Sequence, residues 1–134
     1  MAVEIEPLAP AQPAQMDQAS AVLARAFAND ELFVPMSREA ARRPEQVAAY
    51  CRWTVTSHVL GGAVVDATRS LRGVCIWQPP TPSSPWWLGQ RTAPEMLSML
   101  RSMGRDAGRS LGWFSREERY RQELLPHRAH WFLV

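Results

Sequence analysis

The histidines, serines, cysteines and arginines fix what chemistry this chain could attempt. His127-Arg128-Ala129-His130 is the nearest approach to a metal pair. In a strand those two side chains point to opposite faces and no third ligand has a fitting spacing, so no metal centre is expected. His58 falls on the apolar face of a helical stretch, where a hydrogen-bonded packing histidine is expected rather than a general base. Serines are present, but no G-x-S-x-G elbow and no ordered Asp/His partner accompany them, which sets triad hydrolysis aside. Cys51 and Cys75 belong to no CxxC pair and read as reduced thiols of a cytoplasmic protein. All fifteen basic side chains are Arg; without Lys there is no Schiff base and no P-loop lysine. Arg101, Arg105 and Arg109 are spaced by four and predict one basic helical stripe, with Arg91 nearby. The usual meaning of such a stripe is a solvated face.

Those residues must be positioned by a chain of 134 residues, room for one domain, with 46% hydrophobic and 21% charged side chains. Fifteen basic against thirteen acidic residues give +2, a balance that argues against a dedicated nucleic-acid or membrane-surface binder. No apolar run has the length of a membrane span. The start, Met1-Ala2-Val3-Glu4-Ile5-Glu6, lacks the pattern of a signal peptide.

Val3–Leu8 alternates apolar and acidic residues, the period of a half-buried strand that Pro7 ends. From about Pro13 to Ala28, Met16, Ala19, Leu23, Ala26 and Phe27 share one helical face. Residues 29–43 read as a loop. Pro44 opens a second helix through Val47, Tyr50, Cys51, Thr54, Val55, His58 and Val59, stopped by Gly61-Gly62. Ala63–Thr68 and Leu71–Trp77 predict an antiparallel hairpin. A rigid stretch through Pro82, Pro85, Trp86 and Trp87 follows, its paired tryptophans leaving some apolar surface exposed. Thr92-Ala93-Pro94-Glu95 and Ser115-Arg116-Glu117-Glu118 read as capping boxes opening a third and a fourth helix. Gly104, Gly108 and Gly112 predict a break between 104 and 112. His130–Val134 is strongly β-prone. The expected order is β-α-α-β-β-α-α-β, an α+β fold with a mostly antiparallel sheet and flanking helices.

Three segments carry a family resemblance. Ala26-Phe27-Ala28-Asn29-Asp30-Glu31-Leu32-Phe33, Gly73-Val74-Cys75-Ile76-Trp77-Gln78-Pro79-Pro80 and His130-Trp131-Phe132-Leu133 are similar, in order, to the first-helix end, third strand and fourth strand of the GNAT superfamily of acetyl-CoA-dependent N-acetyltransferases. The resemblance implies transfer of an acetyl group from acetyl-CoA to a small-molecule or peptide amine. It implies a single, incomplete GNAT-like domain over residues 1–134, truncated after the fourth strand. It places Asp30, Glu31 and Phe33 near the amine acceptor, with Trp77 and Trp131 lining the cleft. An acidic pair there would attract the ammonium ion before deprotonation. The family's Gly-rich pyrophosphate loop has no counterpart up to Val134, and neither Tyr50 nor Tyr120 matches its tyrosine general acid. The expectation is therefore an acceptor-side half, inactive alone, with no cofactor-binding residue of its own. The alternative is a non-enzymatic interaction module, a homodimer joined through the edge of the terminal strand.

Overall fold

The computed structural model describes residues 5–7, 13–68, 70, 72–78, 86–124 and 132–133. Its elements are β1 (Ile5–Pro7), α1 (Pro13–Phe27), α2 (Arg43–Leu60), β2 (Val64–Thr68), β3 (Val74–Gln78), α3 (Trp86–Met103), α4 (Ala107–Leu124) and β4 (Phe132–Leu133). A 3-10 turn, Gly104–Asp106, joins α3 to α4.

Helices make up most of the described residues, and this overturns the expectation of an α+β domain organised by a GNAT-like sheet. The substance of the sheet is one antiparallel hairpin, in which Val64 faces Trp77, Val65 faces Ile76, Asp66 faces Cys75 and Ala67 faces Val74. The marginal strands β1 and β4 contribute three and two residues to its sides. The physical reason lies in α3. It takes in Trp86, Trp87 and the whole of Thr92–Glu95, residues read above as loop and cap. Pro94 therefore sits inside a helix, where it removes one backbone donor. Thr92 is buried rather than opening the helix. The second expected box fails in the same way: Ser115 lies within α4 and its hydroxyl donates back to the Leu111 carbonyl at 2.9 Å.

α1 and α2 run close to where the apolar period places them. Pro13 and Pro44 stand in their first turns, where the missing N–H costs nothing. Past α2, Gly62 takes φ +81°, a conformation that side chains with a Cβ rarely adopt. α2 is the central element. Its second half packs Val55 and Val59 with Met16 and Ala19 of α1, Val65 of β2 and Ile76 of β3. Its first half packs Val47 and Cys51 with Phe33 and Met36 of the α1–α2 loop. Each of these fully buried aliphatic side chains contributes about 1.5–3 kcal/mol relative to exposure.

A polar network pins the loop to the two ends it separates. Buried Ser37 donates its hydroxyl to Gln46 Oε1, and the Arg43 guanidinium donates to the Ser37 carbonyl at 3.3 and 3.2 Å. Gln46 Nε2 donates to the Ser102 and Met103 carbonyls at 3.1 and 3.3 Å, and Arg42 donates to Ser102 at 2.8 Å. The first turn of α2 thus satisfies carbonyls that the end of α3 leaves without helical partners.

Candidate functional site

The turn after α1 is held by its own backbone. Asp30 N–H donates to the Phe27 carbonyl at 3.1 Å, and Phe33 N–H to the Asp30 carbonyl at 3.0 Å. Asp30 Oδ1 accepts from Leu32 N–H at 2.8 Å, an Asx turn that fixes this carboxylate. Glu31 beside it is exposed. Phe33 points the other way and is 3% exposed.

Phe33 belongs to an aromatic cluster drawn from four segments. Its ring lies 5.9 Å from Phe27 and 5.3 Å from Tyr50, the latter edge-on. Tyr50 stacks on Phe114 of α4 at 5.1 Å and 11°. Trp53 closes the group at 6.1 Å from Tyr50 and 6.3 Å from Phe114. These are favourable offset and edge geometries. Burial pushes the Tyr50 hydroxyl above its ordinary value, and the Glu117 carboxylate adds to that. Tyr50 is therefore neutral and not a base.

Of the five residues the resemblance singles out, the structure brings Asp30, Glu31 and Phe33 together. Phe33 is too buried to touch a ligand directly and belongs to the core cluster with Met36, Val47 and Cys51. Trp77 lies elsewhere, on β3, 37% exposed and without a ring contact among the described residues. Trp131 lies outside the described residues. Sequence reading missed Tyr50, Trp53 and Phe114 as a group. The available signal was the three-residue step from Tyr50 to Trp53 on one face of α2.

The other reactive side chains are quiet. Burial pushes the Cys51 thiol up to about 12, and Cys51 and Cys75 are both free. Burial holds His58 below its usual value, against the opposing effect of its bond to a carbonyl. Its Nδ1 stands 2.7 Å from the Thr54 carbonyl, which can only accept, so Nδ1 carries the proton. Among the described residues no three His, Cys, Asp or Glu side chains group to hold a metal; His127 and His130 lie outside them. Likewise, no described helix is long and apolar enough to cross a membrane.

The arginine stripe does not survive folding. Arg101 ends α3, Arg105 lies in the 3-10 turn and Arg109 enters α4. The interruption at Gly104 takes Arg105 and Arg109 off a common helix face with Arg101.

Among the described residues, no glycine turn is arranged to hold the pyrophosphate of an acyl-CoA. The two described glycines with positive φ are Gly62, ahead of β2, and Gly104, the first residue of the 3-10 turn after α3. Neither follows a strand and opens a helix with free donors. The start of α2 is closed as well, since the Arg42 and Arg43 N–H groups donate to the Glu39 carbonyl. No family model and no curated protein matches this chain.

Proposed function

We propose that this chain is the acceptor-binding portion of a GNAT-type N-acetyltransferase, seating an amine for acylation. The observation that carries this reading is the Asp30–Glu31 pair, in a turn fixed by the bond from Leu32 N–H to Asp30 Oδ1 and followed in the chain by the buried Phe33. Carboxylates attract an ammonium group. The two strand segments of the resemblance add support by pairing side by side, Gln78 against Phe132 and Trp77 against Leu133. The free Cys51 and Cys75 favour a reducing, cytoplasmic compartment. Acetyl-CoA would supply the acyl group. Residues 1–134 carry no Gly-rich pyrophosphate motif in their sequence, so no acetyl-CoA binding by this stretch by itself is expected.

Titration with phenethylammonium chloride, followed by amide NMR shifts, tests the acceptor side. Saturable shifts at Glu31, Phe33 and Tyr50 are expected, weakened in the double variant Asp30→Asn, Glu31→Gln; Asn at 30 can keep the Asx turn. Shifts that do not saturate, or that the variant leaves unchanged, would refute the reading. Calorimetry against acetyl-CoA should give no heat, and micromolar binding would overturn that expectation.

A further inference from the structure

Where α3 meets α4, a cavity of about 360 Å3 is lined by Arg38, Arg42, Arg105 and Arg109, with Glu39 and Asp106 on the same wall. Four guanidiniums against two carboxylates leave the lining at two positive charges. Among the described residues no ion pair joins these acids to these arginines. Arg42 and Arg109 are each anchored by a carbonyl, Ser102 at 2.8 Å and Pro35 at 3.3 Å. A guanidinium carries five N–H donors, so both keep donors to spare. Arg38 and Arg105 donate to no described residue and are exposed at the mouth.

From this convergence we propose that the cavity binds a phosphoryl dianion, carried by a small organic phosphate monoester. Such a group bears about −1.5 to −2 at neutral pH, which matches the uncompensated charge of the lining. Guanidiniums suit its oxygens through paired, charge-assisted hydrogen bonds. The volume lies within the range of small-molecule sites, roughly 300–1,000 Å3, and leaves room for an organic portion. Glu39 and Asp106 stand beside the phosphoryl position and suit hydroxyl or amino groups of that portion. Arg42, just before α2, and Arg109, in α4, reach the cavity while bonded to the end of α3 and to the α1–α2 loop, so two of the four donors are already in place. None of these residues belongs to the aromatic cluster, and the proposal stands whether or not the acceptor reading does.

The test is calorimetric titration of the whole chain with glycerol 3-phosphate and, separately, with inorganic phosphate, at ionic strength held constant with NaCl. Saturable 1:1 binding is expected, tighter for the monoester. Arg38→Gln and Arg105→Gln should each weaken it about tenfold, with unchanged urea midpoints because neither side chain holds the fold. The Lys variants at the same positions should fall between, keeping charge but losing the planar fork. Tighter binding of inorganic phosphate would reject the organic carrier. No saturable binding of either compound below 10 mM, or Gln variants that bind like the parent, would reject the site.

Discussion

Gln46 is 1% exposed, and each end of its amide is used. Its oxygen takes the Ser37 hydroxyl and its nitrogen serves two carbonyls at the end of α3. Gln46→Leu keeps the volume and strands those partners in the interior. The expected loss is about 1–3 kcal/mol, read as a lower urea midpoint. His58 makes a pH prediction. Burial lowers its folded pKa, so the fold prefers the neutral ring. The stabilisation is complete above the unfolded value of about 6.5 and is lost as pH falls through the lower, folded value. The parent should therefore lose stability on going from about pH 7 to pH 5, and His58→Gln should lose less. Equal losses would show that other groups govern the acid limb.

At the level of elements, two neighbouring glycines, Gly104 and Gly108, make opposite predictions. Gly104 has φ +53°, and a Cβ there would stand 3.5 Å from the Arg42 guanidinium, an ordinary contact. The cost of Gly104→Ala is thus one of backbone conformation, about 1–2 kcal/mol. Gly108 lies inside α4 with nothing within 4 Å of an added Cβ, and Gly108→Ala should stabilise by about 0.5–1 kcal/mol. Chemical denaturation of both variants checks the pair. The same segment marks how far elements can be read from residues. The apolar period of Met16 to Phe27 and of Val47 to Val59 places α1 and α2, because each stripe meets a core. The turn residues Gly61 and Gly62 place the start of the hairpin. The start of α3 escaped, because Thr92–Glu95 has the local chemistry of a helix cap while its neighbours upstream already form helix. Tertiary burial of Thr92 and Met99 outweighs that local signal. The acidic turn at Asp30 was visible in sequence. The aromatic cluster was not, since Phe114 lies far along the chain from Trp53 and only packing unites them.

Across the whole molecule, two apolar clusters form among the described residues, and the helix that runs between them carries Val47 and Cys51 in its first half and Val55 and Val59 in its second. Their nearest members are one helical turn apart. Neither cluster can melt while α2 stays intact, and loss of α2 dissolves both. Met36→Ala, cut in one cluster, should cost about 2–5 kcal/mol and shift a spectroscopic signal from the other by the same amount. Two probes, tryptophan fluorescence for tertiary packing and far-ultraviolet dichroism for the helices, should therefore trace one superimposable transition. A chain with two nuclei then behaves as a single thermodynamic unit, and damage at either end of the axle is paid everywhere.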